Sequence, residues 1–300
     1  MTLVMGSIQL GVIYGLLALG IYITFRILNI PDLTCEGTFT LGLAVSAIMT
    51  KHGHPFIALL VAVAAGMAAG AITGLLQSKC KIHPILAGIL VMSGLYPINL
   101  VIMGRSPNLA IMDSVTIFKW AAEILPSSGD ISKTVTAFVF TCAAAALLAM
   151  FFKTHTGLAI RATGDNEDMV RASSIDADKM KILALAVGNG VIALCGALIT
   201  QYQNYADINS GAGTLVLGLA SVIIGEVIFF KRGVTAGLIS AIIGSIIYRF
   251  VLALAMKLPF FDASYLKLVS SVIVILALSI PAIKERAGLS QIKRRGAKNA

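Results

Sequence analysis

The feature that most constrains this chain is a run of about twenty apolar residues that recurs along its whole length. Helical runs of roughly 17–25 apolar residues match the hydrocarbon thickness of a bilayer. Nine such crossings are read: Leu3–Thr24, Thr38–Thr50, Pro55–Gln77, Pro84–Met103, Thr134–Phe152, Met180–Thr200, Thr214–Phe230, Val234–Met256 and Ser264–Ile283. The second and seventh are short. Only 12% of the 300 residues are charged and 58% are hydrophobic, whereas a soluble domain carries about 25% charged residues. The chain therefore has too little polar material to cover a soluble core. The fold expected is an all-α integral membrane protein, a single transmembrane domain over 1–300. The first run is too long for a signal-peptide core and lacks a basic start and a small-residue cleavage site, so it is read as a mature helix. Gly and Ala collect inside the runs, as at Gly66–Gly70 and Ala143–Ala146. In lipid such small residues let helix backbones approach.

The formal charge of +9 points to topology rather than to nucleic acid, because the basic residues sit between and after the apolar runs. With the 153–181 loop and the C-terminus in the cytoplasm, 16 of the 23 Lys and Arg fall inside. The positive-inside rule then gives N-terminus out, C-terminus in, across a bacterial plasma membrane. The basic tail 284–300 is expected to meet anionic lipid. Outside, the stretch Ile117–Leu125 with Trp120 is patterned as an amphipathic helix at the interface.

An internal repeat adds direction. Thr38–Ala44 and Thr214–Ala220 share five of seven residues at an offset of 176. Each follows a long apolar helix and a polar, helix-breaking stretch, 29–37 in the first half and 203–213 in the second. An odd number of crossings separates the copies, so they run oppositely. This is an inverted-topology repeat with pseudo-repeats at about 1–152 and 180–283, and short or broken helices in matching places mark the solute route of transporters. Asn29, Asp32 and Glu36 follow the first helix, while Tyr202, Tyr205, Asp207 and Asn209 follow the sixth. They are expected to line opposite ends of one route, with Tyr supplying an apolar face and a polar tip. Since a solute must leave as well as enter, no deep pocket is expected. Turn and cap chemistry is the alternative account of the same residues.

The loop 153–179 is patterned as a short cytoplasmic helix. Gly164 permits a sharp turn, Asp165 or Asn166 suits the N-cap, and Glu167 and Asp168 complement the helix dipole. Arg171 falls in the last turn, Ser173 or Ser174 ends the helix, and Asp176 caps the next span.

Catalytic and metal chemistry find little support. Cys35, Cys80, Cys142 and Cys195 are scattered, His52 and His54 flank a loop glycine, and no zinc-protease or phosphate-loop motif occurs. No catalytic, cofactor-binding or metal residue is assigned. An ion-gradient-driven carrier is the main alternative. It would need ionisable residues inside the membrane, and Glu226, near Lys231 and Arg232, is the chief exception to acids lying in loops.

The residues Gly11–Gly20, Leu28–Ile30, Gly157–Ala162 with Ala172 and Ile175, Gly188–Ala197 and Leu217–Gly225 resemble the permeases of ATP-binding-cassette importers for branched-chain amino acids and simple sugars. The likeness covers nearly the whole chain. It implies that the cytoplasmic loop is a coupling helix seated in a separate ATPase, with Arg161, Gly164, Asp165, Asn166, Met169, Arg171 and Ile175 as the coupling residues. ATP and Mg would then be bound by that ATPase dimer and not by this chain. Further implied partners are a second permease copy and an extracytoplasmic substrate-binding protein. Ser174 stands where the family often has Gly, and the 29–37 stretch is longer than usual and carries Asp32 and Glu36. These departures resemble a distinct branch for aromatic or other amino acids.

Overall fold

The computed structural model describes residues 2–124, 129–228 and 233–256, together with Leu268, Ser271, Val272 and Ile275. Helix α1 (Thr2–Ile21) continues through a π-helical segment, Tyr22–Ile27. It is followed by α2 (Thr34–Lys51), α3 (Pro55–Ser78), α4 (Pro84–Ile102), the short strand β1 (Asn108–Ala110), α5 (Ile117–Ile124) and α6 (Gly129–Phe151). Two short helices, α7 (His155–Asp165) and α8 (Glu167–Ala172), lead into α9 (Ala177–Gln203). Then come β2 (Tyr205–Asp207), a 3-10 turn (Ile208–Gly211), α10 (Thr214–Ile228) and α11 (Val234–Ala255).

Seven of these segments are long and apolar enough to cross a membrane. Helix α2 makes an eighth crossing among the described residues. It starts at Thr34, earlier than the expected Thr38, and its 18 residues extend about 27 Å. Thr34, Thr38, Thr40, Ser46 and Thr50 on it are all buried. Its neighbours, not lipid, surround it, so its surface need not be apolar, and that is why its hydropathy signal is short. Ser46 donates to the Ala197 carbonyl at 3.0 Å, Asn99 of α4 donates to the Gly37 carbonyl at 3.2 Å, and Thr34 shares a hydrogen bond with Thr73 of α3 at 2.8 Å. The expected ninth crossing, Ser264–Ile283, and the basic tail 284–300 lie outside the described residues apart from the four isolated positions.

The two halves interlock. Gly11 and Gly15 of α1 lie against Ile246 and Ile242 of α11, while Gly66, Gly70 and Gly74 of α3 lie against Asn189, Leu185 and Ile182 of α9. The first helix of each half thus packs along the third helix of the other, antiparallel in both cases. Helices α1 and α9 are antiparallel as well: Gly20 abuts Gly188 and Ile192, and the Cys195 thiol donates to the Ile13 carbonyl at 3.2 Å. These directions agree with α1, α3, α9 and α11 as crossings one, three, six and eight.

The helix expected over Ile117–Leu125 is α5. Ile117 and Phe118 are buried, and the half-exposed Trp120 meets Phe56 edge-on at 5.1 Å. Two three-residue strands were not expected from the sequence. Strands β1 and β2 pair antiparallel, Ala110 opposite Tyr205 and Asn108 opposite Asp207, and they pin the 104–116 loop to the chain leaving α9.

Candidate functional site

The 153–179 loop is built by local caps. Thr154 accepts from the Gly157 amide at 3.2 Å at the start of α7, Asn166 from Met169 at 3.0 Å at the start of α8, and Asp176 from Lys179 at 3.1 Å at the start of α9. Each satisfies an otherwise orphaned donor. Arg171, in the last turn of α8, bonds Glu167 at 2.8 Å and Asp178 at 2.6 Å, and Lys181 also bonds Glu167. The hydrogen bond from Lys181, followed by that from Arg171, holds the Glu167 carboxyl below its usual range. Its stabilising contribution is therefore present above the ordinary carboxylate pKa and is lost only as pH falls through the depressed value, so the Glu167 carboxylate stays ionised across neutral pH. Arg171 thus works within the chain. Two large apolar side chains project among the polar ones: Met169 is 57% and Ile175 is 37% exposed, while Val170 between them is buried.

One expectation needs correction. Gly164 does not make a turn; it lies inside α7. A Cβ there would run into the carbonyl oxygen of Ile27, so its role is to let α7 touch the end of α1. The loop holds two helices rather than one, because Thr154 caps an earlier one. A cavity of about 460 Å³ beside this contact is lined by Tyr22, Arg26, Arg161, Asp165, Glu226 and Ser240 among others. Glu226 pairs with Arg26 at 2.6 Å. Its expected neighbours Lys231 and Arg232 lie outside the described residues.

The two helix breaks meet rather than standing at opposite ends of a route. Asp32 is buried beside Asn189, near the middle of α9, whose amide donates to it at 2.7 Å; the Thr34 amide donates to its other oxygen at 2.9 Å. The second break reaches back into the protein. Gly211 lies on the Glu36 carbonyl, where a Cβ would not fit, and the Gly213 amide donates to the Glu36 carboxylate at 2.9 Å. Irregular backbone at this depth is tolerated because protein satisfies it. Helix α10 starts here, which explains why the seventh crossing is short. A cavity of about 420 Å³ at the junction is lined by Glu36, Thr40, Ser93, Tyr96, Asn99 and Asn209 among others.

Of the seven residues expected along the path, Glu36 and Asn209 share this cavity. Asn29 occupies an exposed left-handed turn with φ of 56°. Tyr202 donates to Gln9 at 2.7 Å and meets Phe118 edge-on. Tyr205 is exposed on β2, and Asp207 caps the following turn by accepting from the Asn209 amide at 2.9 Å. Asn189, Asn99 and Gln9 escaped the sequence reading. They lie inside apolar runs, where their being polar was the available signal.

The structure can be set against known proteins. The model of the family described as "Branched-chain amino acid transport system / permease component" matches residues 3–278. The chain is 39% identical to a tyrosine transport system permease protein of Clostridioides difficile (strain R20291), over 89% of this chain and 87% of that one. It is 30% identical to an uncharacterized protein of Rickettsia prowazekii (strain Madrid E), over 93% of this chain and 98% of that one. It is 25% identical to the ribose import permease protein of Escherichia coli (strain K12), over 81% of this chain and 74% of that one. No solved structure matches the chain significantly.

Proposed function

Since this chain belongs to the branched-chain amino acid permease family, the multi-pass membrane subunits of ATP-binding-cassette importers, we propose that it imports an amino acid, aromatic or branched-chain, and is driven by a separate ATPase through α7 and α8. The substrate reading rests on the 39% identity to a tyrosine permease against 25% to a ribose permease. Two copies of the chain form the path, and an extracytoplasmic binding protein delivers the substrate. ATP and Mg are held by the ATPase. The N-terminus faces outside and the C-terminus the cytoplasm of a bacterial plasma membrane. On this orientation Asp113→Cys, in an exposed loop, should react with an impermeant thiol reagent in intact cells and the native Cys80 should not. The reverse pattern would refute the topology.

The observation that supports coupling is the capped, ion-paired loop that presents Met169 and Ile175 to the cytoplasm. Buried apolar anchors carry most of the binding energy in such contacts. Met169→Asp places a charge in that interface while Val170, the caps and the ion pairs remain. Co-purification of the ATPase with the permease should fall by at least tenfold, and membrane insertion should be normal. Retention of the ATPase at the level of the unaltered chain would sink the docking assignment.

The same contact offers a mechanism. Movement of α7 on the ATPase presses, through Gly164, on Ile27 at the end of α1. The next residues lead to Asp32 and then to Glu36, which holds the start of α10 by its bond to Gly213. The loop, the first break and the second break are thus contiguous, and a shift at the ATPase has a packed route to the cavity beside Glu36.

A further inference from the structure

Arg249 lies well inside α11, about two turns before its C-terminal end, in the outer half of the membrane on the orientation proposed. Its guanidinium carbon stands 3.7 Å from the centroid of the Tyr14 ring. Its Nε is buried without a hydrogen-bond partner, and no carboxylate among the described residues is within ion-pair distance. A cation inside a membrane span is costly and marks a solute or proton route more often than a structural one. The Tyr14 face offsets part of that cost, but it leaves the Nε–H without an acceptor.

Arg249 lines a cavity of about 430 Å³ together with Tyr14, Ser210, Thr214, Tyr248 and the small residues Ala212 and Gly213. Ala212 also lines the cavity that holds Glu36, so the two spaces flank one narrow stretch at the start of α10. A guanidinium lies on one side and a carboxylate on the other. We propose that Arg249 is the station that takes the carboxylate of the substrate on its way to the cavity that holds Glu36. This rests on the reading of the chain as an amino-acid permease. The guanidinium fork matches a carboxylate in two parallel hydrogen bonds, which a lysine would not reproduce. The Ser210 hydroxyl and the start of α10 add donors beside it. Glu36, past Ala212, offers the acceptor that an ammonium group needs next. Tyr14 shares the cation, which keeps the hold on substrate loose enough for release, as a conduction path requires.

The test uses the whole permease with Cys80 and Cys142 changed to Ser and with Ser210→Cys introduced. Anionic and cationic methanethiosulfonates of similar size are applied in parallel. With Arg249 present, the anionic reagent should react at least tenfold faster, relative to the cationic one, than in the Arg249→Gln protein. An unchanged ratio would mean that protein or a lipid phosphate already neutralises the guanidinium, and it overturns the proposal. In vesicles, L-tyrosine should slow the anionic reagent and tyramine, which lacks the carboxylate, should not. Equal protection by both would also overturn it. A preserved charge preference without protection by either L-tyrosine or L-leucine would leave Arg249 an anion site and refute the amino-acid reading instead.

Discussion

Gly42→Ala should remove most folded permease from the membrane, whereas Gly218→Ala should leave it assembled. The two glycines are counterparts in the internal repeat, and sequence alone gives them equal weight. Their surroundings differ. A Cβ at Gly42 would collide with the carbonyl oxygen of Ala193, in the backbone of α9, and would stand 2.7 Å from its carbon. Backbone in a helix packed on both α2 and α3 cannot yield without separating helices. A Cβ at Gly218 would meet the terminal methyl of Ile21, a flexible tip that can change rotamer. Overpacking usually costs about 1–3 kcal/mol and more where backbone must shift, so the first change belongs at or above the top of that range and the second near the bottom. The yield of monodisperse protein in mild detergent and its unfolding temperature report the difference. Equal behaviour of the two variants would show that the α2–α9 contact is looser than described.

Asp32→Ala should be nearly as damaging, and Asp32→Asn mild. Asp32 accepts from Asn189 and from the Thr34 amide and is 3% exposed. Alanine leaves two donors without these partners inside the protein, at about 1–3 kcal/mol each. Asparagine keeps an oxygen for Thr34 and, with its amide turned toward α9, a donor for the Asn189 carbonyl oxygen, which has no partner among the described residues. Unfolding temperatures should therefore rank Asp32→Asn well above Asp32→Ala. If uptake fails equally in both while their stability matches the unaltered chain, Asp32 acts on the solute and not on the fold.

What was legible in the sequence was whatever is local or imposed by lipid. The bilayer demands a length and an apolar surface from each lipid-facing helix, so those crossings stand out, while α2, enclosed by protein, was clipped at its Thr-rich start. Caps act over three residues, so Asp176 could be placed, and the cap of α8 narrowed to Asp165 or Asn166, from spacing alone. Long-range partners could not. Tyr202 and Gln9 are 193 residues apart, and Asn189 and Asp32 are 157, so residues patterned like path-lining groups proved to be clamps between helices. Gly164 was misread for the same reason: a glycine advertises backbone freedom locally, but its contact with Ile27 comes from another part of the chain. The repeat located both helix breaks. That they meet through Glu36 and Gly213 depends on how far the second break folds back, which no spacing encodes.

The central claim is that ATP hydrolysis in a partner drives solute through this chain. Asp32 and Glu36 lie at membrane depth, where a gradient-driven carrier would also place acids. The decisive measurement is uptake of radiolabelled L-tyrosine into vesicles holding the permease with its ATPase, with binding protein supplied on the outer side, ATP and Mg enclosed, and ionophores collapsing proton and sodium gradients. Uptake should persist under these conditions, stop when ATP is replaced by a non-hydrolysable analogue, and fall at least tenfold in Met169→Asp. Uptake that vanishes with the ionophores and is indifferent to ATP would contradict the account.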